Sequence, residues 1–345
     1  MKFVKHLLFL AVLISSTQVQ AQHEYIFTNY YMSPLTLNPA MVGAYEGTYR
    51  VGALQRQQWN VVPAIFQTTS IFVDMPLLMI QKRHWIGAGL SLYNDGAGTT
   101  GNSKIGQNYV ALSAAFHYAL DKKYRNVLTL GLSAGGGSDG FTPGLKELTN
   151  GDFIAKSGGT SLKPDKVNST DISAGLMLKS KIDKKSDLSL GISVRHLNTA
   201  AIGHAGKSYT STSSVKAKLP SALSLHFEYN RMLNKRLSIS PNILYRRIAG
   251  SQDLALQGVL GYQLNPKDKD IILKGGLGFR GIYNHAINVL AGADYKDFKL
   301  MIGYDIPLAP VGGKTTGSTL ELSLHYTGKV YKNPVVKGIH FCPKY

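Results

Sequence analysis

Ser221-Ala222-Leu223-Ser224-Leu225-His226-Phe227-Glu228-Tyr229 alternates without a break. Leu223, Leu225, Phe227 and Tyr229 fall on one face, and Ala222, Ser224, His226 and Glu228 on the other, the period of a half-buried strand. Asp187–Arg195 repeats the pattern, with Leu188, Leu190, Ile192 and Val194 opposite Ser189, Gly191, Ser193 and Arg195. Thr319–Tyr326 does so again, with Leu320, Leu322, Leu324 and Tyr326 opposite Glu321, Ser323 and His325. A soluble sandwich gives the same dyad. Tyr and Phe recur at the ends of these segments, however, as the aromatic girdle of a membrane barrel requires.

Extending this reading predicts an all-β fold, a transmembrane antiparallel β-barrel of the outer membrane with roughly 14 strands. The strands are expected near 47–57, 64–76, 84–95, 104–118, 126–137, 168–180, 187–197, 219–231, 236–247, 252–263, 270–281, 285–295, 297–306 and 317–327. Links after even-numbered strands are short, as at Asp121–Arg125, Lys181–Ser186, Met232–Lys235 and Asn265–Lys269. The long links, 138–167 and 198–218, follow odd-numbered strands. Short periplasmic turns alternating with longer surface loops place both termini of the barrel in the periplasm. A sandwich has no reason to sort its links by parity.

The amino terminus agrees. Lys2 and Lys5 precede an apolar run from Leu7 to Ile14, and Val19-Gln20-Ala21 is an A-x-A-like cleavage site, so residues 1–21 read as a signal peptide. No later stretch reads as a transmembrane helix, and in lipid the other structure that pairs every backbone group is a closed barrel. Four segments result: the signal peptide, a periplasmic or plug segment over 22–46, the barrel over 47–327 and a periplasmic tail over 328–345.

The formal charge is +18, and +16 once Lys2 and Lys5 are subtracted. The basic residues gather in turns and tails rather than on one helix, which favours outer-membrane lipid headgroups or an acidic partner over nucleic acid. The one cysteine, Cys342, excludes an internal disulfide; it is read as an inert tail residue rather than a reactive thiol. Gly131-Leu132-Ser133-Ala134-Gly135 matches a nucleophile elbow, but that motif needs a strand-to-helix turn, and here Ser133 sits within a predicted strand. His226 and His325 lie on polar faces and could meet in the lumen, without the cysteine or carboxylate company of a metal site. Gly135-Gly136-Gly137 and Asn94-Asp95-Gly96 lack a P-loop lysine and read as turns. Gly275-Gly276 and Gly278 suggest strand bending or the close approach of a plug. No catalytic, cofactor or metal residue is expected.

Several stretches resemble the PorP/SprF family of outer-membrane proteins in the type IX secretion and gliding machinery of Bacteroidota. Tyr30 to Gly43, centred on Leu37-Asn38-Pro39-Ala40, is similar to its amino-terminal signature, and Arg56-Gln57-Gln58-Trp59 closes the first strand as in the family. Gly87-Ala88-Gly89-Leu90 before Asn94-Asp95, Leu188–Ser193 before Arg195-His196-Leu197, and the ending Cys342-Pro343-Lys344-Tyr345 fit the same pattern. Leu320-Glu321-Leu322 departs from it, since members often carry Ser-His-Glu there.

The resemblance implies a barrel without enzymatic activity or cofactor. It would export secreted surface proteins or adhesins, or hold them through their C-terminal domains, and would contact periplasmic secretion components including a peptidoglycan-binding protein. Asn38, Pro39, Ala40, Arg56, Gln57, Gln58, Trp59 and Cys342 are the motif residues, structural or partner-binding. Two other classes remain open: a passive porin-like solute barrel, and a hydrolase using Ser133.

Overall fold

The computed structural model describes residues 27–58, 65–81, 83–98, 104–142, 165–199, 201–202, 217–218, 220–265, 271–282, 285–308 and 317–330. The stretch read as a signal peptide, Trp59, Cys342 and most of the long links and tail lie outside the described residues.

Fourteen strands close an antiparallel barrel: β1 (Tyr49–Gln58), β2 (Ile65–Ile80), β3 (His84–Gly98), β4 (Lys104–Ala119), β5 (Asn126–Thr142), β6 (Asp165–Lys181) and β7 (Ser186–Arg195), then β10 (Ala222–Met232), β11 (Leu237–Ile248), β12 (Ser251–Gln263), β13 (Ile271–Gly281), β14 (Ala286–Tyr295), β15 (Phe298–Pro307) and β16 (Thr319–Gly328). β1 pairs with β16, with Arg56 directly opposite Glu321. Each strand is long enough to cross a membrane. The strands follow the predicted order and number. β2 and β5 run further than the alternation suggested, to Ile80 past a bulge at Pro76/Leu78 and to Thr142. Within the long β7–β10 link, β8 (Ala201–Ile202) and β9 (Ala217–Lys218) pair as a separate hairpin that two-residue strands could not announce.

The outer face is apolar over its middle and lower parts, with polar pairs such as Gln55–Thr69 and Asn94–Asn108 towards the upper rim. Leu112, Leu132, Leu190, Leu260, Leu277 and Leu322 are exposed outward, the distribution of a wall that faces lipid. Tyr49, Tyr326 and Phe298 cluster at one rim, with centroids 6.0 and 4.7 Å apart, and His84 stacks on Tyr118 at 4.3 Å there. This lower rim carries the short turns at 81–83, 120–125, 182–185, 233–236 and 296–297. In one of them the Lys185 backbone N–H and the Ser186 hydroxyl hold the Asp183 carboxyl below the usual range. The strand ends that the long links 143–164 and 196–221 join, Thr142, Asp165, Arg195 and Ala222, lie at the upper rim.

The segment ahead of β1 does not stay at the lower rim. Residues 27–47 lie inside the lumen as a chain of short helical turns, Tyr30–Met32, Pro34–Leu37 and Pro39–Met41. Phe27, Met32, Leu35 and Val42 pack with lumen-facing Leu54, Phe72, Leu290 and Met301, and Tyr30, Leu37 and Ala40 with Met177, Leu244 and Ala255. The barrel therefore has a packed core, formed between plug and wall.

Lipid exposure gives the first prediction. Leu277→Arg, at the middle of β13, should destabilise the barrel by about 2–4 kcal/mol, and Leu264→Arg beside the rim by about 0–1 kcal/mol. Denaturant titration of the refolded protein in lipid checks the order, and equal losses would place the membrane elsewhere.

Candidate functional site

The plug is built around its motif. Asn38 caps the last helical turn, its Oδ1 accepting from the Ala40 N–H at 2.9 Å. Its Nδ2 reaches out to the wall, to the Leu176 and Ile192 carbonyls at 3.1 and 3.3 Å and to His226 Nε2 at 3.0 Å. Asp in this place could make the cap but has no donor for the wall, and Ser or Thr would have a single shorter-reaching hydroxyl where the Asn38 amide offers two N–H groups. Pro39 starts the turn, where its missing N–H costs nothing. Ala40 is fully buried against β5.

The wall makes room with glycine. A Cβ on Gly131 would sit 2.2 Å from the Ala40 nitrogen, on Gly175 1.9 Å from Asn38 Oδ1, on Gly191 2.8 Å from Asn38 Nδ2, and on Gly87 2.3 Å from the Val42 oxygen. Gly43 itself has φ +67°, which favours glycine. Gly275, Gly276 and Gly278 do not meet the plug, one of the two readings the sequence allowed: Gly275 has open space, and the others face neighbouring strands.

Two polar anchors fix the ends. At the lower end Asp74 accepts from the Gly43 N–H (2.8 Å) and from Arg50 Nε and Nη2 (both 2.9 Å). Trp85 Nε1 donates to the Gly43 oxygen at 3.0 Å, His117 Nε2 to the Val42 oxygen at 2.8 Å and Lys179 Nζ to the Ala44 oxygen at 2.7 Å. At the upper end Glu321 accepts the Thr28 and Asn29 N–H groups at 2.8 and 2.7 Å. Arg56 Nη1 stands 3.6 Å from Glu321 and 3.8 Å from Asp305, while Arg280 bridges Asp253 and Asp305 at 3.5 and 3.6 Å. Three buried carboxylates thus face two guanidiniums, and the two backbone N–H groups of the plug offset the surplus negative charge on Glu321.

The motif residues part company here. Asn38, Pro39 and Ala40 hold the plug, and Arg56 belongs to the upper anchor, where the Gln58 side chain accepts from its Nη2 at 3.4 Å. Gln57 is a wall residue opposite Leu320 and Gln67. His226 and His325 do not meet: His226 bonds Asn38, and His325 bonds the Met32 carbonyl and stacks edge-on with Phe72. Ser133 faces the lumen and shares a hydrogen bond with Ser113 at 3.0 Å. Glu321, Asp305, Arg280 and Asp74 were missed. Their signal was available, as charges placed on the inner parity of strands whose outer positions carry none.

The class is thereby defined: an outer-membrane β-barrel closed by its own amino-terminal segment. Solved structures with the same architecture are the toluene transporter TbuX of Ralstonia pickettii (TM-score 0.53, 13% identity, 87% of this chain and 94% of that one) and a FadL homologue of Pseudomonas aeruginosa (0.51, 11%, 84% and 92%). The CymD monoaromatic hydrocarbon channel is similar too (0.50, 10%, 86% and 93%). At these identities the likeness is one of fold. No curated protein matches the sequence. The profile of the type IX secretion system membrane protein PorP/SprF family matches residues 19–326, and the chain belongs to that family.

Two predictions test the anchors. Gly131→Ala forces the plug backbone against a closed wall and should cost about 1–3 kcal/mol, whereas Gly275→Ala, with open space around it, should be silent; unfolding midpoints in detergent compare the two. Glu321→Ala leaves two buried N–H groups without an acceptor, at about 1–3 kcal/mol each, and Glu321→Gln, which keeps one acceptor oxygen, should fall between. Hydrogen exchange at Thr28 and Asn29 should rise in the same order, and unchanged protection would dismiss Glu321 as the anchor.

Proposed function

We propose that this barrel is a non-enzymatic docking and export component of type IX secretion in a Bacteroidota outer membrane. In this reading a cleaved signal peptide ending at Ala21 delivers the chain. The assembled barrel then holds or exports secreted surface proteins or adhesins through their C-terminal domains, with a part in gliding. It also contacts periplasmic secretion components, among them a peptidoglycan-binding protein.

The observation that carries the reading is the plug. A lumen filled by a covalently attached segment, anchored at both ends by buried ionic and hydrogen-bonded contacts, favours work done at the rims over passage through the middle. The two rims differ as two docking surfaces should. The upper one has the long links 143–164 and 196–221. The lower one presents Lys122, Lys123, Lys184, Lys185, Lys235 and Arg236 on short turns, a cationic surface that attracts acidic partners and steers their approach. Family membership supplies the secretion system; the anchors supply the reason to prefer docking to a solute pore.

Affinity purification from native outer membranes, with companions identified by mass spectrometry, tests this. Large surface proteins and periplasmic secretion components should co-elute, and deletion of the gene should strip particular proteins from the cell surface. A solitary barrel that passes a steady open-channel current, with an unchanged surface proteome, would replace docking by solute transport.

A further inference from the structure

The lower half of the lumen carries a polar patch that makes no hydrogen bond to the plug among the described residues. On β7, Asp187 and Ser189 face inward. On β10, Asn230 stands opposite Asp187 and Glu228 opposite Ser189, and on β11 Asn242 stands opposite Glu228. Directly opposed side chains on one face have Cβ atoms about 4.5–5.5 Å apart, so Ser189 is a close neighbour of both carboxylates. The Asn230 amide ties those carboxylates together. Its Nδ2 donates to Asp187 Oδ2 at 3.2 Å and to Glu228 Oε1 at 3.1 Å, and its oxygen accepts from the Ser240 hydroxyl at 2.7 Å. Both amide protons are thereby used. Asp187 Oδ1, Ser189 Oγ and Asn242 Oδ1 are left buried without a hydrogen-bond partner, and Ser189 and Asn242 are each only 4% exposed.

We propose that Asp187, Ser189 and Glu228 hold a hard divalent cation, calcium, just inside the short-turn opening of the lumen. Two carboxylates bridged by one neutral amide call for positive charge, and the lysines beside them do not supply it as an ion pair. Lys179 and Lys181 on β6 stand opposite Ser189 and Asp187. The Lys179 ammonium is bound to the Ala44 carbonyl at 2.7 Å, and Lys274 is paired with Asp294 at 2.8 Å. Among the described residues no cationic side chain forms an ion pair with Asp187 or Glu228. The donors are those of a calcium site, oxygens only and two of them anionic. A water molecule could satisfy two of the buried oxygens, but the two negative charges would still face each other without a counter-charge. Calcium accepts irregular geometry and completes its shell with water, which suits ligands whose spacing a sheet dictates. Asn242 Oδ1, one strand further on, accepts from a water of that shell. Asp187 and Glu228 are half-buried rather than sealed. Asp187 is the second residue of β7, so the ion enters from the lower rim. One inward position above the site are Gly191 and His226, against which Asn38 is seated. The ion therefore joins β7 to β10 directly beneath the motif, whatever the barrel docks.

Calcium titration of the purified barrel in detergent, first stripped with a chelator, tests the site. One Ca2+ per chain should bind with a Kd of about 0.1–1 mM, the range of extracellular calcium modules, and Glu228→Gln should weaken binding about tenfold or more. Asp183→Asn, on the exposed turn outside the lumen, should leave the affinity unchanged. Heat-modifiable migration on gels verifies that each variant has assembled, and Asp187→Asn replaces Glu228→Gln where that one has not. The unaltered protein gives a second readout. Ca2+ at about 10 mM should raise its folded-to-unfolded ratio in a denaturant titration by a factor of about 10–100. Absence of binding and of that shift would overturn the proposal. Binding that the lumen variants retain and Asp183→Asn loses would overturn it too, by placing calcium on the outer turns.

Discussion

A short irregular peptide threaded through a barrel cannot pair its own backbone, and everything inside this lumen answers to that constraint. Three single helical turns leave most N–H and C=O groups of residues 27–47 without internal partners. The wall supplies them one by one. Glu321 takes two successive N–H groups, Gln257 and Arg280 donate to the Thr28 and Phe27 carbonyls, Ser193 donates to Leu37, and His117 and Trp85 donate to Val42 and Gly43. A porin lined by water would need none of these to be aimed. Here many of the inward polar side chains that touch the plug are aimed at its backbone groups, and buried polar groups in a protein interior are held by such partners.

The upper anchor also explains how the seam is held. β1 and β16 are the first and last strands, and their pairing closes the wall. Arg56 and Glu321 are direct cross-strand partners on the inner face of that pair, and the plug's Thr28 and Asn29 are bonded to Glu321. Register at the seam and position of the plug are thus fixed by one set of atoms. A slip of one residue at β1 would turn Arg56 towards lipid and leave Glu321 with only its two backbone donors. Buried ion pairs contribute little net stability against an apolar replacement; what this cluster contributes is a single allowed register.

The strands were legible because alternation is local. Ser221–Tyr229 announces its two faces to any reader of nine residues, and link parity announces the two rims. The plug was legible only as a motif. That Asn38, Pro39 and Ala40 matter could be read from resemblance, but their partners Leu176, Ile192 and His226 lie 138 to 188 residues away, and no period connects them. Glycine misled for the same reason. Gly275-Gly276 draws the eye as a pair, yet one of the two faces outward, while Gly131, Gly175 and Gly191 stand singly on three adjacent strands and only the closed sheet brings them side by side. Parity sorts them in retrospect, because all three are inward positions where Leu or Ser would otherwise stand.

A plug tied this tightly changes what the barrel can be used for. Motion of the segment would require desolvated charges on Arg56, Arg280 and three carboxylates to lose their donors while still enclosed by the wall, and uncompensated buried charge is the most expensive state available to such a site. The wall is equally constrained, since every one of its fourteen strands is paired on both sides. Neither part offers a soft coordinate through the lumen. What varies along the chain is left to the links between strands, which differ in length and charge, while the packed interior fixes the relation between the two rims that face the membrane's two aqueous compartments.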